Sequence, residues 1–179
     1  MIMIRQCIQE EEINGLDMSK LSLGSLNIFR TTVEVMLADG VLTREEKRLI
    51  IKLASALNLT SEQPGEVYSA IREGIKSPEG DVVSVAEAKI IYTKVFEVAI
   101  VNASLSRDEF RVLAHLRSIF EINDKDHAII EEALRIMVKE KFGDPNVMEK
   151  MLATLRDSVG LVGDIFDTVR KKTVDGGSS

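Results

Sequence analysis

The sequence has no tryptophan, two tyrosines and six phenylalanines, so aliphatic side chains must build its core. It has one cysteine, Cys7, which excludes an internal disulfide framework and a cysteine-based metal cluster and suits a small packed side chain. No apolar run approaches the ~20 residues of a membrane span. Residues 1–12 lack the long hydrophobic region and small-residue cleavage site of a signal peptide. The expectation is a cytoplasmic protein without a membrane span. Positive charge is in deficit, with 23 Lys and Arg against 29 Asp and Glu, and the net charge of −6 opposes attraction to phosphates or anionic lipid. The basic residues are scattered among acids, which predicts no nucleic-acid partner. There is no nucleophile elbow, no phosphate-cradling glycine loop and no Cys–His arrangement, and Gly160-Leu161-Val162-Gly163 sits inside a helical pattern. His115 aligns with Lys52 at a position that reads as solvated, and His127 falls in a helix's first turn. Glu34 and Glu97 are carboxylates of the sort that hold two metals in a bundle, but the Glu-x-x-His partners of such sites are missing. These absences predict that the chain is not an enzyme.

What is present is a repeat. Asn27–Lys76 matches Ile90–Lys139 without a gap at an offset of 63 residues, with identities that include Ile28/Ile91, Glu34/Glu97, Val35/Val98, Leu42/Leu105, Arg44/Arg107, Glu46/Glu109, Ser55/Ser118 and Ala70/Ala133. Units duplicated in this way bury their apolar faces on one another. Each unit reads as three helices. Leu49, Ile50, Leu53, Ala54 and Leu57 recur at the 3–4 spacing of an amphipathic helix, and Val112, Leu113, Leu116 and Phe120 repeat the phase. Thr43…Glu46, Ser84…Glu87 and Ser106…Glu109 are capping boxes, in which a hydroxyl and a carboxylate three residues apart satisfy each other's free backbone N–H groups. Asn123…Asp126 is a weaker form. No segment alternates with period two, so no sheet is expected. The predicted class is all-α: a compact bundle of about seven to eight helices. Residues 1–143 form the helical domain, with units 27–76 and 90–139 joined by a linker at 77–83.

A further helix is expected over 144–173, opened by Asp144-Pro145 and followed by a disordered tail at 174–179. Met148, Leu152, Leu155, Val159, Val162, Phe166 and Val169 step by four and three, which is heptad spacing. Such a stripe either covers its own domain or forms an interface with a protein partner or a second copy in a homodimer.

The turn between the first two helices reads Ala38-Asp39-Gly40-Val41-Leu42-Thr43-Arg44-Glu45-Glu46. An Ala-Asp-Gly turn, an apolar pair and an acidic helix start, repeated once in a small helical domain, resemble the tellurite-resistance TerB-like family over roughly residues 27–139. That resemblance implies a compact helical module linked to metal-ion stress, with divalent-cation sites at the acidic turns. The corresponding residues are Asp39, Glu45 and Glu46 in the first unit and Asp108 and Glu109 in the second, for a hard cation such as calcium or magnesium. Asn102-Ala103 stands where the second unit would repeat Asp-Gly. The turn is not an EF-hand, because Val35 and Leu37 occupy the first two ligand positions and carry no oxygen donor. The residues also have a plain reading: Glu46 and Glu109 as caps, Glu45 and Asp108 as partners of the helix dipole, Asp39-Gly40 as a turn dipeptide. Two functions follow: a non-enzymatic TerB-like binding or regulatory module with a weak cation site at the Asp39 turn, or a structural, oligomerising adaptor whose acidic turns are only helix caps.

Overall fold

Helix starts and stops in the computed structural model, which describes residues 23–101 and 107–157, follow the local chemistry of the chain closely. The first helix of the described residues, α1 (Ser25–Met36), runs into a single 3-10 turn (Leu37–Asp39) that closes on Gly40. Gly40 sits at φ 92°, a left-handed conformation that a Cβ would oppose, although the space around it is open. Thr43 then caps α2 (Arg44–Ala56) in a complete capping box: Thr43 N–H donates to Glu46 Oε2 at 2.7 Å, and Glu46 N–H donates to Thr43 Oγ1 at 3.2 Å. Helix α3 (Gln63–Glu73) carries Pro64 in its first turn and stops on Gly74, φ 67°.

Three further helices follow, α4 (Val85–Val101), α5 (Arg107–Ile119) and α6 (Asp124–Lys141). The Ser84/Glu87 box forms as the sequence predicts, and hydrogen bonds from Ser84 hold the Glu87 carboxyl below its ordinary range. Asn123 accepts from Asp126 N–H at 2.8 Å. The Ser106/Glu109 box falls partly outside the described residues. Helices α2 and α5 end in the same way, 63 residues apart. Asn58 N–H donates to the Ser55 carbonyl and Leu59 N–H to the Ala54 carbonyl; Glu121 N–H donates to Ser118 and Ile122 N–H to Arg117. Both exits force a non-glycine residue to positive φ, 55° at Asn58 and 50° at Glu121. A last helix, α7, is described over residues 145–157; Asn146 N–H donates to Asp144 Oδ1, the capping that Asp144-Pro145 predicts.

The expectation of no sheet needs a correction. β1 (Leu23–Gly24) and β2 (Val82–Val83) pair antiparallel, Leu23 with Val83 and Gly24 with Val82. Two residues per strand are too few to show a period-two pattern, so the sequence held no signal for it. The pairing serves the start of α1, which has no side-chain cap: Ser25 N–H donates to the Asp81 carbonyl, and Leu26 and Asn27 N–H both donate to the Glu79 carbonyl. A Cβ at Gly24 would stand 2.0 Å from that Glu79 oxygen, which makes glycine obligatory there.

The first helix of each half packs most extensively on the second helix of the other, α1 on α5 and α4 on α2. Leu49, Leu53 and Leu57 from α2 and its exit share one buried cluster with Val112, Leu116 and Phe120, and with Phe29, Val95, Phe96 and Ile100. Burying each such side chain stabilises the fold by about 1.5–3 kcal/mol. Among the described residues no helix is long and apolar enough to cross a membrane.

Candidate functional site

The acidic turn is built by its backbone: the left-handed Gly40 reverses the chain, and the Thr43 cap fixes the first turn of α2. That cap draws Glu46 fully into the interior, 0% exposed. One carboxylate oxygen, Oε2, serves the Thr43 N–H; the other, Oε1, is buried and meets no hydrogen-bond partner among the described residues. A buried carboxylate oxygen left this way costs free energy unless something else satisfies it. Glu109 stands 63 residues on, in the first turn of α5, and is likewise fully buried. Glu45 is half-buried on the adjoining side of α2. The side chains of Asp39 and Asp108 lie outside the described residues. Among the described residues no three His, Cys, Asp or Glu side chains converge as metal ligands.

The carboxylates of the two-metal reading are each taken by a neighbouring cation. Glu34 pairs with Arg30 at 2.9 Å, and Glu97 pairs with Lys141.

A buried polar cluster lies in the second half. Tyr92 on α4 and His127 in the first turn of α6 share a hydrogen bond at 3.0 Å between the phenol and Nε2. Phe96 packs against both rings, edge-on to Tyr92 and stacked with His127. Arg117 is 3% exposed; its Nε donates to the Ile122 carbonyl and its Nη2 to the exposed Asp124 at 2.6 Å. Burial, then the nearby Arg117 guanidinium, lowers the His127 pKa to about 4 against the opposing pull of Asp124. Burial raises the Tyr92 phenol far above its ordinary range. His127 is thus a neutral core histidine and Tyr92 a neutral core phenol, an arrangement that fixes packing. Sequence reasoning missed the arginine, and the signal was there: Arg117 aligns with Ala54, one of the stripe positions of α2, so its helical phase already placed it inside. Tyr92 aligns in the same way with buried Phe29.

The solvated reading of His115 is corrected. Its Nε2 lies 3.3 Å from Thr31 Oγ1, it is half-buried, and burial lowers its pKa against the pull of Glu34. The close packing of α5 on α1 draws this position in, where Lys52 had suggested open solvent.

On α7, Leu155 is 0% exposed and Met151 7%, both in the main core, with Met148 and Leu152 packed against it. The start of the heptad stripe thus covers the chain's own domain. Met151, which the stripe omits, belongs to that face because 3.6 residues per turn drift from a strict heptad. Val159, Val162, Phe166 and Val169 lie outside the described residues, as do Cys7 and the tail.

No family model, curated protein or solved structure matches the chain.

Proposed function

We propose that this chain is a non-enzymatic, cytoplasmic binding or regulatory module of TerB-like kind, made of two copies of a three-helix unit about an approximate two-fold axis. A weak divalent-cation site sits at the Asp39 turn. The observation that carries this reading is Glu46: a fully buried carboxylate in the first turn of the helix that follows Asp39-Gly40, with an oxygen that no described group satisfies. Calcium or magnesium is the chemical class that accepts such an oxygen together with Asp39 and carbonyls. Calorimetric titration of the purified protein with calcium, magnesium, manganese and zinc tests it. Saturable heat is expected for the wild type, with loss in Asp39→Asn at an unchanged melting temperature, since asparagine suits the same turn. Equal titrations of wild type and variant, or no heat in either, defeat the cation reading.

A second reading has its own support. The capping box at Thr43–Glu46 is complete, which accounts for this glutamate without any ligand. The chain is then an oligomerising adaptor whose acidic turns are only caps, and a protein partner or second copy is met by Val159, Val162, Phe166 and Val169. Sedimentation decides that reading: a wild-type dimer that becomes a folded monomer in Val162→Glu supports it, and a concentration-independent monomer ends it.

A further inference from the structure

An open recess of about 250 Å³ lies where the ends of α4 and α6 meet the flank of α2, lined by Lys52, Glu97, Val98, Val101, Lys141 and Phe142. Its walls are mostly apolar, supplied by the two valines and the phenylalanine. Its charges are unequal. The Lys141 ammonium is held by the Glu97 carboxylate, so that pair is neutral. Lys52 is half-buried and makes no ion pair or hydrogen bond among the described residues, which leaves one net positive charge at an apolar recess in a chain of net charge −6.

The equivalent positions of the other half carry different side chains. Sixty-three residues away from Lys52 stands His115, hydrogen-bonded to Thr31, and away from Glu97 stands Glu34, paired with Arg30 on its own helix. Phe142 aligns with Glu79 in the linker. Helix α3 stops at Glu73, which aligns with Ile136, whereas α6 continues to Lys141 and carries Lys141 and Phe142 into the wall. Two of the six lining residues thus come from the stretch by which the helix of the second half outruns its counterpart, which ends on a glycine.

We propose that this recess binds a small monocarboxylate with an apolar body, the carboxylate on Lys52 and the body against Val98, Val101 and Phe142. An ammonium facing a carboxylate makes a charge-assisted hydrogen bond, and three apolar side chains remove the ligand's hydrocarbon from water. The volume equals about eight waters at ~30 Å³ each, the size of a six-carbon acid. A free short-chain acid and a peptide ending in an apolar residue share this chemistry. The reading does not depend on the cation at the Asp39 turn.

The test is a methyl and amide NMR titration of the full chain with hexanoate, hexan-1-ol and a short acetylated peptide ending in a free phenylalanine carboxylate. Saturable shifts at Val98 and Val101 are expected with an acid, with hexanol at least about tenfold weaker. Lys52→Gln lowers acid affinity by about tenfold, the loss of one charge-assisted contact, and the exposed Lys76→Gln leaves it unchanged. Glu97→Gln acts in the opposite sense, tightening binding several-fold by releasing the Lys141 charge. The tighter of hexanoate and peptide identifies the source. Failure of both acids to saturate, hexanol binding as well as hexanoate, or undiminished binding in a folded Lys52→Gln overturns the proposal.

Discussion

The two halves of this molecule place the same helices on the same apolar phase and then diverge in what they put between them. The first half carries hydrocarbon at positions where the second half buries a polar side chain: Phe29 against Tyr92, and half-buried Ala54 and Pro64 against Arg117 and His127. The first half spends glycine on its turns, Gly40 and Gly74, while the second carries Ala103 and Met137 at those positions and extends its third helix. Packing positions are held and chemistry sits in the differences. A scaffold whose two halves already satisfy the core can accept a buried arginine or a longer helix in one of them.

The comparison breaks first at the core. Leu53 and Leu116 stand 63 residues apart, both essentially unexposed and in one cluster. Replacing either with alanine is expected to cost about 2–5 kcal/mol, and by a similar amount, because each leaves a cavity in a shared interior. Urea unfolding of both variants checks it; a biphasic transition in either would show two separate cores.

A smaller effect separates the halves by pH. His127 titrates near pH 4 in the folded state and near 6.5 when unfolded, so folding favours its neutral form. Its contribution is fully present above pH 6.5 and is lost as pH falls through the window from 6.5 to 4. At 1.36 kcal/mol per unit, the total is about 3 kcal/mol. Urea midpoints measured from pH 7 to pH 3.5 should show that much less pH dependence in His127→Gln than in the wild type. Pro64, at the matching place, has nothing to titrate, so an unchanged slope in the variant would erase the distinction between the halves.

The smallest effect is at the two helix exits. Glu121 pays for its left-handed backbone more than Asn58 does, because asparagine tolerates that region. Glu121→Gly is expected to raise stability by up to ~1 kcal/mol, or about 2–4 °C in melting temperature, and Asn58→Gly by less. Thermal melts that rank them the other way would mean the exits differ in more than side-chain tolerance.

Much of the fold was legible in the residues. The offset of 63 survives as matching helix ends on α2 and α5, because caps and apolar spacing are local signals. The Thr43, Ser84 and Asn123 starts read directly from the chain. What escaped were features that local pattern does not encode: a two-residue strand pair, the inward draw of His115, and Met151 on the buried face of α7. At the acidic turn, sequence identified the cap but gave no sign that one Glu46 oxygen meets no partner among the described residues, since that depends on what packs over it. The recess was invisible for the same reason: Lys52, Glu97 and Phe142 are far apart in the chain and share no motif.

The short strand pair also sets the order in which the protein can be completed. The first three free N–H groups of α1 find their acceptors on Asp81 and Glu79, which a ribosome adds at about 5–20 residues per second only after all three helices of the first half. The nascent first half leaves the exit tunnel with the start of α1 uncapped and its apolar faces waiting for α4 and α5. The halves share one buried cluster, so residues 23–76 expressed alone are expected to expose its apolar face and aggregate, and a nick in the linker is expected to loosen the start of α1. The linker acts as a late-arriving clasp, and translation past it commits the chain to fold as a whole.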